Sequence, residues 1–253
     1  MNITYLGQCG FLLEIGEARI VTDPYLSNYV DKMSADGTMW RRLYPAPAQL
    51  NELKPDAIVI SHSHGDHLDP WTLEPYIQAG GTALIAAPAP ECGLLENLGA
   101  KNIEYAEADR SFTVKGVKIT PIPCAHTELH QDEQGRYREL SYILECGEEK
   151  LFFGGDMSLY PGLVERLERE ACPIVLLPAN GRDEERTAQN IIGNINHVEA
   201  AQLAAHLKAR AYIPMHFDLY ANNGCPVEDI EAAAREHGAN LRVMKPGERW
   251  ENA

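Results

Sequence analysis

Ser61-His62-Ser63-His64-Gly65-Asp66-His67-Leu68-Asp69 is the stretch on which the reading of this chain turns. It has the pattern HxHxDH, three imidazoles and a carboxylate within six residues. Imidazole nitrogen is a donor for borderline metals, and this spacing lets one turn serve two ions, so the segment reads as a metal site rather than a solvated polar loop. Its flanks give it a place in a fold. Ala57-Ile58-Val59-Ile60 in front reads as a buried strand, and Asp69-Pro70 behind reads as the N-cap and first residue of a helix. The histidines therefore occupy a loop at a strand end, where α/β layer proteins carry ligand groups.

A site for two ions needs more donors than one loop supplies, and three more stand just past apolar runs, as His62 does. His126 follows the run at 119–123, Asp156 follows Leu151-Phe152-Phe153-Gly154-Gly155, and His216 follows the run at 211–215. Glycines ahead of Asp156 let the backbone crowd close to an ion. The same alternation recurs along the chain. Hairpin-like strands at 3–6, 11–15 and 18–22 are followed by the strand at 57–60, a helix from 70 to about 78, a strand at 82–86, a helix near 91–98 and further β-like runs through 117–121. Paired strands at 140–145 and 151–153 open a second series. It continues with a helical stripe at Leu163, Val164 and Leu167, a strand at 174–177 and a helix at 197–209 behind the capping pair Asn196 and Glu199. A strand at 211–215, a helix opened by Pro226 and a strand at 241–243 complete it. Two such halves predict two mixed β-sheets packed face to face with helices outside, an α/β four-layer αββα sandwich, as one domain over 1–253. Within the first half, between the strands at 18–22 and 57–60, the stretch 25–51 is long and weakly periodic, which suits a lid or wall over a site.

The 253 residues carry a formal charge of −15. Nucleic acid needs a basic stripe, and the chain has none, so no nucleic-acid partner is expected. A small anionic substrate stays compatible with this charge, because two divalent ions concentrate positive charge at one spot. The six cysteines form no CxxC pair and read as reduced thiols. The N-terminus runs straight into a strand without a signal-like segment, and no window is apolar enough to span a bilayer. A cytoplasmic protein with no membrane partner is expected. A homo-oligomer stays open.

HSHGDH, the later His126, Gly154-Gly155-Asp156 and Pro214-Met215-His216, in that order, resemble the metallo-β-lactamase superfamily. The resemblance implies an αββα sandwich with two metal ions at one end. It implies that His62, His64 and His126 hold the first ion, that Asp66, His67 and His216 hold the second, and that Asp156 bridges them. Asp23 matches the aspartate that ends an early strand in this fold and orients a ligand imidazole. The segments Tyr5-Leu6-Gly7-Gln8-Cys9-Gly10-Phe11-Leu12-Leu13-Glu14, Thr22-Asp23-Pro24-Tyr25-Leu26-Ser27, Leu177-Pro178-Ala179-Asn180-Gly181 and Ile213-Pro214-Met215-His216-Phe217-Asp218 look like those of the L-ascorbate-6-phosphate lactonase group. Gln8 departs from it, standing where many relatives have histidine.

A metal-dependent hydrolase follows as the expected activity. Two ions sharing a water lower its pKa, give a bridging hydroxide and polarise the oxygen it attacks. Asp66 is the expected catalytic residue, orienting that hydroxide and passing a proton to the leaving oxygen. Histidine and carboxylate donors without thiolate fit zinc or manganese, with iron also compatible. A phosphorylated sugar lactone such as L-ascorbate 6-phosphate is the first expected substrate. Arg41, Arg42, Arg182 and Arg186, with Asn180 and Asn190 as neutral donors beside the last pair, are the candidate phosphate donors. A small phosphodiester or cyclic nucleotide is the second expected substrate, and a non-catalytic metal-binding module is the reading of another class.

Overall fold

The computed structural model describes residues 1–34, 40–251 and 253. In chain order the strands are β1 (Asn2–Gly7), β2 (Gly10–Ile15), β3 (Ala18–Thr22), β4 (Ala57–Val59), β5 (Leu84–Pro88), β6 (Ile103–Ala106), β7 (Phe112–Val114), β8 (Val117–Pro123), β9 (Leu140–Cys146), β10 (Glu149–Phe153), β11 (Ile174–Pro178), β12 (Ala211–Met215) and β13 (Arg249–Trp250). Among the described residues they form a seven-stranded sheet, ordered β13-β1-β2-β3-β4-β5-β6, and a six-stranded sheet, ordered β12-β11-β10-β9-β8-β7. Helices α1 (Tyr29–Met33), α2 (Leu50–Leu53), α3 (Pro70–Gln78), α4 (Cys92–Asn97), α5 (Leu163–Glu170), α6 (Glu184–Ala188), α7 (His197–His206) and α8 (Val227–His237) lie in the connections.

The period of two along each strand explains the layers. Tyr142, Leu144, Leu151, Phe153, Ile174 and Leu176 of the second sheet share one buried cluster with Ile3, Tyr5, Leu13, Ile20 and Val59 of the first, so these faces meet. The intervening residues point outward. Ile143, Phe152, Val175 and Leu177 pack with Leu163, Leu167, Ala200, Leu203 and Ile230 from α5, α7 and α8. Leu12, Val21, Ile58 and Ile85 pack with Leu73, Tyr76 and Leu95 from α3 and α4. Three separate apolar clusters between successive layers make the αββα sandwich. Parallel pairing of β3-β4-β5-β6 and of β10-β11-β12 brings successive C-terminal ends to the same edge.

Most expected elements fall within a few residues of the observed ones; the structure adds α6 in a stretch read as loop, and it departs in two further places. Residues 241–243 make only a single bridge, Tyr212 with Leu241, and the closing strand is β13, paired with β1 at Ile3 and Thr4. Pro246 and Gly247 end the earlier run before a ladder can extend, and two residues of Arg249–Trp250 are too few to show period. The stretch 25–51 is not bare loop: it holds α1 and α2, short helices without a long apolar stripe, while residues 35–39 lie outside the described residues. No helix among the described residues is long and apolar enough to cross a membrane. All six cysteines are free.

Candidate metal centre

The HxHxDH loop is fixed by the strand before it and the helix after it. Asp69 caps α3, accepting from Trp71 N at 3.0 Å and Thr72 Oγ1 at 2.5 Å, with Pro70 in the first turn. The backbone turns tightly, with the N–H groups of His67 and Leu68 both donating to His64 O, at 2.9 and 2.8 Å. Leu140 N donates to Ser61 O at 2.9 Å and Tyr142 Oη to Ile60 O at 2.9 Å, so the second sheet grips the loop of the first. Two strand ends on that second sheet are laced together in turn. Ser158 N donates to Ala125 O at 2.6 Å, Ser158 Oγ to His126 O at 2.8 Å, and Cys124 Sγ to Asp156 O at 3.1 Å. Gly155 has φ +63°, and a Cβ there would stand 2.7 Å from Ser61 Cβ, so only glycine brings Asp156 this near the loop.

These constraints bring His62, His64, Asp66, His67, His126, Asp156 and His216 together. His62, His64 and His126 form one group and Asp66, His67 and His216 another, with the donor atoms of each group within 4.8 Å of one another. Asp156 lies between them, its Oδ2 at 3.3 Å from both His126 Nε2 and His216 Nε2 and its Oδ1 at 3.4 Å from His67 Nε2. Asp23 stands behind His67, its Oδ2 at 2.7 Å from Nδ1, and it also accepts from Ser61 N at 2.7 Å and Ser61 Oγ at 2.6 Å. With Nδ1–H donated to Asp23, His67 presents Nε2 to the centre.

The donor set fits divalent ions. His62 Nε2, His67 Nε2, His126 Nδ1 and His216 Nδ1 are buried without a hydrogen-bond partner among the described residues. An unsatisfied buried polar group costs ~1–3 kcal/mol, so such a concentration calls for an occupant. The charges call for a positive one. Burial and the neighbouring imidazoles push His62 well below the usual histidine range. Burial opposes charge on His67 and His216 too, but Asp156 and Asp66, with Asp23 for His67, hold both up, His216 at about 9. Burial would raise Asp66 and Asp156, yet the facing imidazoles hold both carboxylates low.

The centre opens on a cavity of about 280 Å³ whose floor includes His64, Asp66, His126, Asp156 and His216. Val30, Trp40, Ile191 and Ile192 form its apolar wall, and Asn190 and Asn223 are its neutral polar groups. The stretch 25–51 thus supplies a wall, as its length suggested. The arginines are not brought to the centre. Arg42 donates to the carbonyls of Tyr25 and Ser27, each at 3.0 Å, and lies 4.9 Å from the Tyr25 ring centroid. Arg182 makes a two-pronged pair with Glu199, both contacts 2.7 Å. Arg186 donates to the carbonyls of Asn180 and Gly224. Arg41 is exposed beside Asn28, Asp31 and Lys32 in a neighbouring groove. Asn180 is buried behind the wall, donating to Asn223 Oδ1 at 2.9 Å and accepting from Asn194 at 3.0 Å, so it positions Asn223.

Cys9, whose Sγ groups with His67 and Asp156 and lies 3.7 Å from Asp156 Oδ1, is one centre residue that the donor search passes over, and Gln8 is another. It is buried, with φ +57°, and its Nε2 stands 2.6 Å from Asp66 Oδ2 and 2.9 Å from His216 Nε2. The strand-end criterion that finds His62 would have found it, since it follows β1. A search restricted to imidazoles and carboxylates could not. Ile191 and Ile192 carry no such signal, because an apolar pair reads as core.

A four-layer sandwich with histidines and carboxylates gathered at one sheet edge defines a metallo-β-lactamase-fold protein, and solved structures agree. An isothiocyanate hydrolase from Delia radicum gut bacteria superposes with TM-score 0.79 at 19% identity, over 99% of this chain and 98% of that one. Igni18, a metallo hydrolase from Ignicoccus hospitalis, superposes with TM-score 0.73 at 20% identity, over 100% and 99%. The beta-lactamase superfamily domain matches residues 18–217, and the chain belongs to that family. The UPF0173 metal-dependent hydrolase of Methanopyrus kandleri is 25% identical over 99% of this chain and 100% of its own length. These likenesses define the superfamily and leave the lactonase group to chemical argument.

Proposed function

We propose that this chain is a metal-dependent hydrolase of a small uncharged electrophile, with an unphosphorylated lactone as its reference substrate. The observation that carries the reading is the cavity over the centre: about 280 Å³, apolar on one wall, neutral at its polar points, and without an arginine or lysine among the described residues that line it. A phosphorylated sugar lactone would need a cationic fork beside the centre, and the four arginines expected to provide one do not line the cavity. The name of the Methanopyrus kandleri relative supports metal-dependent hydrolysis.

His62, His64 and His126 would hold one ion and Asp66, His67 and His216 another, with Asp156 shared. Divalent ions there supply Lewis acidity, which activates water and polarises the oxygen under attack. The chain's own residues do the rest. Asp23 holds the His67 tautomer through Nδ1. Asp66 is part-exposed on the cavity floor and kept ionised by His67 and His216, so it can orient a water, accept its proton and deliver that proton to the leaving oxygen. Trp40, Val30, Ile191 and Ile192 exclude water around the bound acyl group.

The test is a panel on metal-reconstituted protein: an unphosphorylated lactone, L-ascorbate 6-phosphate, a cyclic nucleotide, and an isothiocyanate, the last because a structural neighbour is named for hydrolysing one. The expected result is turnover of the lactone or the isothiocyanate with kcat/KM at least tenfold above both phosphate-bearing compounds. Preference for L-ascorbate 6-phosphate would restore the sugar-phosphate reading, and preference for the cyclic nucleotide the phosphodiesterase one. Stoichiometric metal binding without turnover of any compound in the panel would favour a binding module.

A further inference from the structure

We infer that Gln8 makes the two halves of the metal centre unequal, its side-chain amide competing with the ion for the Asp66–His67–His216 half. The inference rests on the metal-centre reading above and adds a residue to it.

The position of the amide carries the argument. An ion held by Asp66 Oδ2 and His216 Nε2 stands about 2.0–2.2 Å from each ligand atom. Gln8 Nε2 already lies 2.6 Å from the first and 2.9 Å from the second, so amide and ion contend for nearly the same point. An ionised carboxylate only accepts hydrogen bonds, which fixes the NH2 end of the amide, not its oxygen, against Asp66. That end is the electropositive one and stands in for a cation.

The backbone holds it there. His216 N donates to Gln8 O at 2.9 Å, and both residues take left-handed conformations, each with φ +57°. The turn after β1 and the end of β12 are thus tied to each other, and the Gln8 side chain cannot leave by a drift of the loop. It must change rotamer within a buried site. Among the described residues no such hydrogen bond reaches the other half: His62 Nε2 is buried and unpartnered, and Gln8 makes no hydrogen bond to His62, His64 or His126. The His62–His64–His126 half therefore fills first, and the Asp66–His67–His216 half fills only as the amide is displaced.

The experiment is a cobalt(II) titration of chelator-stripped, folded protein, followed by visible absorption and by bound metal after gel filtration, for wild type, Gln8→Ala and Gln8→Met. Methionine keeps the volume and removes the amide donors. Wild type should bind two equivalents with the second weaker than the first. Losing a charge-assisted contact should tighten the second constant by roughly ten- to a hundredfold in both variants and leave the first within about twofold. Equal constants in wild type, or a second constant unchanged or weakened in both variants, would overturn the inference while leaving the metal centre standing. Folded wild type that takes up no cobalt would overturn the metal centre itself, and that result is read before any variant is made.

Discussion

The HxHxDH loop and the arginine-bearing walls are both loops on a folded edge, yet their side chains meet opposite fates. In the first, a backbone turn and two carboxylates close the loop: His67 N and Leu68 N donate to His64 O, Asp69 caps α3, and Asp23 anchors Ser61, so the imidazoles are left free to converge. In the walls, backbone turns such as Ile191 N to Arg186 O stand beside carbonyls that take arginine side chains as donors. Arg42 ties down the carbonyls of Tyr25 and Ser27, and Arg186 those of Asn180 and Gly224. A loop whose carbonyls need donors turns its arginines into struts, whatever charge they might offer a ligand. Residue type alone does not tell a ligand-binding arginine from a strut; the state of the neighbouring carbonyls does.

Removing an imidazole from the HxHxDH loop should cost function and little fold, and the largest effect is expected there. His64→Ala removes a donor that lies exposed on the cavity floor, so the protein should stay folded by circular dichroism while bound metal and turnover fall together. Full metal content by elemental analysis in that variant would break the comparison. Asp66→Asn comes next. It keeps the shape but gives up the ionised acceptor, and turnover should drop by ~100-fold or more, which is the usual worth of a positioned acid–base group. Steady-state kinetics at saturating metal checks this, and near-normal kcat would take Asp66 out of the mechanism.

Asp23→Ala tests the support one step back from the centre. Groups that hold a ligand imidazole by its far nitrogen are typically worth ten- to a hundredfold in metal affinity, so a weaker metal constant is expected with the seven gathered donors all still present. An unchanged constant in a metal-buffer competition would mean the imidazole is held by packing alone.

The struts should respond in stability instead. Arg186→Ala leaves the carbonyls of Asn180 and Gly224 without their donor and should lower unfolding free energy by ~1.5–3 kcal/mol, read by urea denaturation. The ratio of kcat/KM for phosphorylated and unphosphorylated lactones should not move; a loss confined to the phosphorylated one would return Arg186 to substrate binding. Arg41→Ala is the smallest change. Its side chain is exposed in a separate groove, so stability should shift by less than ~0.5 kcal/mol and kinetics by less than about twofold.

How much of this was legible in the chain varies with how local the cause is. The four layers were readable because strand period and helix capping act over a few residues: Ile143 and Phe152 face one way and Tyr142, Leu144 and Phe153 the other whatever lies opposite. Asn196 with Glu199 announces α7 in the same local fashion. The gathered histidines and carboxylates were readable for a related reason, since each stands one or a few residues past an apolar strand and the sandwich carries those strand ends to one edge. β13 was not readable, because two residues show no period and its pairing with Ile3 and Thr4 is made across almost the whole chain.

By itself, then, the sequence determined the layers and the strand ends where seven histidines and carboxylates gather, consequences of local periodicity and of residue chemistry. Only the tertiary structure decided the rest. It placed the Gln8 amide between Asp66 and His216, assigned Arg42 and Arg186 to backbone carbonyls, and lined the cavity with Trp40 and Ile191. Each of these depends on which groups meet across many residues of chain. A polar side chain takes the partner whose burial would otherwise be most costly, and that partner is known only once the fold has closed.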